Sequence, residues 1–84
     1  MSMKFCANTL ILFGNRLAAL RKELGWSQEK LALDSGVARS YLSGVERGRR
    51  NISLLNIVRL ATTLDYPAKE LLNFNSTSVI NKLQ

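Results

Sequence analysis

Arg39, Ser40, Ser43 and Arg47 follow one another at steps of one, three and four. On a helix that spacing puts them on one face. Two guanidinium groups and two hydroxyls, with nothing large and apolar among them, make a surface of hydrogen-bond donors. Its natural acceptors are the base edges and phosphates of a nucleic-acid duplex. Arg bonds bidentately to guanine in the major groove, and Ser reaches either bases or phosphates. The N-terminal residues of such a helix are the ones that reach bases, so Arg39 and Ser40 are the first candidates for specificity. Alone, Arg39 would read as a solvated surface arginine; the spacing favours base contact. Ser40 and Ser43 stand evenly between readout and plain helix surface, since serine is common there. Tyr41 has two readings of equal weight. It stacks on a sugar or touches a thymine methyl, or it covers the helix pair as a half-buried aromatic.

The run Arg47-Gly48-Arg49-Arg50-Asn51 follows at once. A basic run is usually a solvated face. Here it falls in the loop that should flank a phosphate backbone, and phosphate contact is the better reading. Gln28, at the start of the preceding helix, could clamp a phosphate through its backbone N–H and side chain, with the helix dipole assisting.

Composition narrows the chemistry. The 84 residues carry 12 Lys and Arg against 6 Asp and Glu, a net charge of +6, which points to an anionic partner. Histidine is absent, which excludes an imidazole base or imidazole metal ligand. The single cysteine, Cys6, excludes an internal disulfide and a multi-cysteine metal site, and reads as an inert thiol near a chain end. No paired carboxylates or Gly-rich phosphate loop suggest an enzyme. The expectation is a one-domain binding module that is not an enzyme, with no metal, no cofactor and no small-molecule substrate.

Helices must position these side chains. Phe13, Leu17, Leu20 and Leu24 recur at helical spacing and predict a first helix over about 9–24, ended by Gly25. Ser27 is the N-cap of a second, with Leu31 and Ala32 on its inner face and Gly36 at its end about eight residues on. Val37, Leu42 and Val45 carry the inner face of a third over about 39–47. Two short helices about a tight glycine turn, with a small residue where they approach, have the arithmetic of a helix-turn-helix. Asn51-Ile52-Ser53 caps a fourth helix, whose face of Leu54, Leu55, Ile57, Val58, Leu60, Ala61 and Leu64 is broad. Pro67 suits the first position of a fifth over about 68–72. The fold class is all-α, a compact five-helix bundle. Arg21 and Glu46 both lie close to apolar faces and are expected to pair. Trp26 reads as a core or hinge cap.

At Gln28 to Arg47 the sequence resembles the Cro/phage-repressor-like helix-turn-helix regulators. The resemblance runs through Phe13-Gly-Asn-Arg-Leu-Ala-Ala-Leu-Arg21, Leu24-Gly-Trp-Ser-Gln-Glu-Lys-Leu-Ala32, Gly36-Val37 and Tyr41-Leu-Ser-Gly-Val-Glu-Arg-Gly48. It continues through Asn51-Ile-Ser-Leu-Leu-Asn-Ile-Val-Arg-Leu-Ala61 and from Pro67 to Leu72. It implies a lambda-repressor-like bundle with Gln28, Arg39, Ser40 and Ser43 at DNA-touching positions, and with Arg21 and Glu46 as the internal ion pair. It also implies a homodimer on a palindromic operator, formed through the last helices. The broad apolar face of the fourth helix, with the residues after it, either fills the monomer core or covers a second copy; the surplus favours the dimer, with Ile57, Leu64, Leu71, Leu72 and Phe74 as the expected interface. Within the family, the run from Tyr41 to Ser53 resembles the controller proteins of restriction–modification systems. Phage-type repressors share the same core. An antitoxin or other protein-interaction module on this fold is the alternative.

Residues 1–8 read as an N-terminal extension, 9–74 as the DNA-binding and dimerisation domain, and 75–84 as a polar tail with isolated Val79, Ile80 and Leu83. Lys4, Phe5, Cys6 and the apolar residues to Phe13 have the outline of a leader. Asn8 and Thr9 interrupt it and Arg16 follows closely. No stretch approaches the ~20 apolar residues of a membrane span. A cytoplasmic location is expected.

Overall fold

The computed structural model describes residues 3–74, with side chains from residue 8 onward. Cys6 and the tail with Val79, Ile80 and Leu83 therefore lie outside the described side chains. Five helices follow in order: α1 Met3–Glu23, α2 Gln28–Ser35, α3 Arg39–Glu46, α4 Leu54–Leu64 and α5 Ala68–Leu71. No strand occurs among the described residues. None of these helices is long and apolar enough to cross a membrane.

The ends follow local chemistry. The Ser27 hydroxyl accepts from Lys30 N–H at 3.0 Å, and the Ser53 hydroxyl accepts from Asn56 N–H at 3.1 Å. Each satisfies a first-turn donor that the helix leaves unpaired. Gly36 closes α2 with φ +82°, a left-handed conformation that costs glycine little, and its N–H donates to Ala32 O. Some boundaries differ from expectation. α1 begins at Met3 rather than near residue 9, because nothing in residues 3–8 breaks a helix. α3 ends at Glu46, with Arg47 as its cap, and α5 ends at Leu71. Pro67 is the N-cap of α5 rather than its first helical residue, with ψ 145°.

The core gathers Phe13, Leu17 and Leu20 from α1, Leu31 and Ala32 from α2, Leu42 and Val45 from α3, Ile57, Leu60, Ala61 and Leu64 from α4, and Leu71 from α5. All five helices thus bury an apolar stripe in one centre. At Gly14, α1 and α3 approach closely. A Cβ added to Gly14 would stand 2.5 Å from the carbonyl oxygens of both Val45 and Glu46. Backbone meets backbone there, and α3 is pressed against the long first helix.

Of the residues expected at the interface, Ile57, Leu64 and Leu71 lie in the monomer's own core. The apolar residues left outside on α4 are Leu54, Leu55 and Val58, followed after α5 by Leu72. Phe74 is half-buried, edge-on to Phe13 with ring centroids 6.4 Å apart.

Candidate nucleic-acid interface

The candidate surface is built on α3 and the loop after it. Leu42 and Val45 anchor α3 to the core, while Arg39, Ser40 and Arg47 are exposed and Ser43 is half-buried. The first turn of α3 carries no side-chain cap, since Ala38 precedes it, so its N–H groups face outward without a side-chain acceptor. Arg49, Arg50 and Asn51 are exposed in the following loop. The helix and its loop therefore present Arg39, Arg47, Arg49 and Arg50 to solvent.

The position of α3 is set from behind by a polar network. Arg21 grips Glu46 with two N–H groups, Nε to Oε2 at 2.8 Å and Nη2 to Oε1 at 2.9 Å. Arg21 Nη1 also donates to the Trp26 carbonyl at 2.6 Å. Both side chains are over nine-tenths buried. Such a charge pair survives burial only with good geometry and filled hydrogen bonds, and both are present. The hydrogen bond to Glu46 raises the Arg21 pKa above its ordinary value, and desolvation opposes it more weakly. The guanidinium stays charged under all ordinary conditions.

Gln28 joins the same network. Its Nε2 donates to Glu46 Oε1 at 2.9 Å. Nε2 carries two hydrogens, so one is held by the carboxylate and the second remains for an acceptor outside. The α2 N-terminus and the α3 C-terminus are thereby fixed to each other and to α1.

Tyr41 packs against the edge of the core. It is half-buried, its hydroxyl donates to Asn51 O at 3.4 Å, and Asn56 Nδ2 donates to it at 3.2 Å. The ring pins α3 to the loop and to α4. The Asn51 side chain is turned to its own backbone, accepting from Ile52 N–H at 2.9 Å. Trp26 is half-buried against the core, with Lys30 Nζ 4.4 Å above its ring.

Sequence reasoning missed three features that shape this surface. Gly14 shares a helical face with Leu17 and Arg21, at steps of three and seven, and a glycine in that stripe is the sign of a close crossing. Asn56 gave no sign beyond following a serine cap. Arg16 bonds to Glu70 through Nη2–Oε1 at 2.9 Å and Nε to the carbonyl at 2.8 Å, tying α1 to α5 across 54 positions. No local pattern marks a pair that distant.

A helix-turn-helix family model matches residues 17–71. The control protein C.BamHI of Bacillus amyloliquefaciens is 40% identical over 70 residues, which cover 82% of this chain and 86% of that protein. The crystal structure of the restriction–modification controller protein C.AhdI from Aeromonas hydrophila is similar with a TM-score of 0.73 and 58% identity, over 74% of this chain and 94% of that one. The biofilm master regulator SinR, solved in complex with DNA, is similar with a TM-score of 0.69 and 39% identity, over 73% of this chain and 98% of that one.

Proposed function

The chain belongs to the helix-turn-helix family of DNA-binding transcription regulators, and from that premise we propose that it is a restriction–modification controller acting as a homodimer on a palindromic operator. In this reading α3 enters the major groove, and Arg39 and Ser40, on its exposed first turn, read bases. Arg49, Asn51 and the free Gln28 N–H hold phosphates on either side. The protein binds and positions; it performs no catalysis. It acts in the cytoplasm, where the genes it controls are transcribed.

The observation that carries the reading is the placement of α3. Its donor side chains point outward while Glu46, at its end, is locked to Arg21 and Gln28 from within. A helix held that firmly can present Arg39 at a fixed angle, which bidentate base readout requires. The controller role is supported by similarity to C.BamHI and C.AhdI over most of their lengths. The dimer is supported by Leu54 and Leu55, which are 74% and 67% exposed on a domain this small.

Selection from a random duplex library at two salt concentrations tests the proposal. A recovered palindrome, with half-sites about one helical turn or ~34 Å apart, is the expected result. Salt-sensitive binding with no selected sequence would overturn it.

A further inference from the structure

The face of α3 turned away from the core has a gap at its centre. At ~100° per residue, Leu42, Val45 and Glu46 mark the buried side, and Ser40, Gly44 and Arg47 lie opposite. Ser40 and Arg47 are exposed, yet Gly44 between them is buried. What covers it is Arg50. A Cβ added to Gly44 would stand 2.7 Å from Arg50 Cγ and 3.6 Å from Arg50 Cβ and Cδ.

Gly44 sits inside a helix, where alanine would be favoured by about 1 kcal/mol. Its use there is space for the arginine stem. The guanidinium then reaches the Tyr41 ring, with Cζ 5.9 Å from the centroid, and that ring is held by Asn51 and Asn56. A side chain that starts in the loop thus lays its stem over the outward face of α3 at Gly44 and turns its head to the flank of the helix at Tyr41. An arginine that only neutralises phosphate needs charge and reach. It does not need a seat. Fixed orientation is what bidentate recognition of a base edge demands.

We infer that Arg50 is a base-reading residue, seated on the recognition helix by the Gly44 notch and the Tyr41 ring, and that it takes the O6 and N7 acceptors of a guanine. The inference rests on the reading of α3 as the groove-inserted helix, and it moves Arg50 from the phosphate contacts to the specificity set.

The test compares duplex-library selection by the wild type, Arg50→Ala, Arg50→Lys and Gly44→Ala, each checked for its fold by circular dichroism. Arg50→Ala should lose the preference for one guanine per half-site and bind the selected duplex about ten- to a hundredfold more weakly. Arg50→Lys should keep the salt dependence and lose the same preference, because lysine has no planar fork. Gly44→Ala should lose it as well, with Arg50 intact but displaced. If Arg50→Ala weakens all duplexes alike and keeps every base preference, Arg50 is a phosphate contact and the inference is overturned. Retention of the guanine preference by Gly44→Ala would overturn the seat. A wild type that selects no sequence would overturn the operator reading itself, and this inference with it.

Discussion

Arg21 and Glu46 stand 25 positions apart and meet through two parallel hydrogen bonds of 2.8 and 2.9 Å. One end of the pair is on the long first helix and the other is the last residue of α3, the helix proposed to enter the major groove. The contact therefore joins the scaffold to the reading surface directly, and the Gln28 amide shares the same carboxylate. Replacing Glu46 by Ala strands a buried guanidinium. It should destabilise the fold by about 3–5 kcal/mol, whereas an Arg21→Met, Glu46→Leu double variant should lose less than the two single changes together. Urea unfolding of Glu46→Ala, of Arg21→Met, of Glu46→Leu and of the double variant measures this; strict additivity of the last two single changes would contradict the coupling.

At Gly14 two backbones touch, so the cost of a side chain is steric. Gly14→Ala pushes a methyl against the Val45 and Glu46 carbonyls, which cannot rotate away. Overpacking of this kind costs about 1–3 kcal/mol, and α3 must shift, so operator affinity should fall with stability. Gly25→Ala is the control. Its φ of +75° carries some strain, but open space surrounds it, and operator binding should persist. Equal loss of binding in the two variants would refute the account.

Arg39 and Arg49 separate two kinds of contact. Arg39→Ala should cost about 1–3 kcal/mol on the selected operator and relax one base position. Arg49→Ala should weaken all duplexes similarly and lower the salt slope by about 1. Fluorescence anisotropy titrations on the operator and on a scrambled duplex distinguish the two. Uniform weakening by Arg39→Ala would remove it from base readout.

Helices and turns were legible because caps and apolar spacing are local: Ser27, Gly36 and Ser53 stand where their chemistry requires. The Arg21–Glu46 pair was legible because two charges sat beside apolar stripes. Surface against interior on α4 was not. Its apolar face is broad enough that sequence cannot say which half meets the core, and Ile57 and Leu64 turned inward while Leu54, Leu55 and Val58 stayed out. The seat at Gly44 was equally hidden, since it depends on where a loop residue six positions later folds back.

Tyr66 gives a pH signature. Its hydroxyl donates to Glu23 Oε1 at 3.0 Å, and this bond raises its pKa above the ordinary tyrosine value of 10.0. A folded-state pKa above the unfolded one means that the bond's contribution is fully present below the unfolded value and is lost as pH rises through the folded one. Ring-labelled NMR titration should show Tyr66 ionising later in the wild type than in Glu23→Gln. Coincident titrations would show that the contact does not persist in solution.

Leu55 tests the proposed dimer. It is 67% exposed on α4, so its replacement by Glu leaves the monomer core untouched. In a two-fold dimer each copy contributes one Leu55, and burying a leucine is favourable by about 1.5–3 kcal/mol. Leu55→Glu should therefore weaken association by about 3–6 kcal/mol, a hundredfold or more in the dissociation constant. Ile57→Glu, one face round on the same helix, should instead unfold the protein, because Ile57 is in the core. Sedimentation equilibrium with thermal melting separates the outcomes. A Leu55→Glu protein that melts like the wild type and sediments as a monomer, while binding operator DNA poorly, is the expected result. A variant that remains dimeric would place the interface away from the outer face of α4.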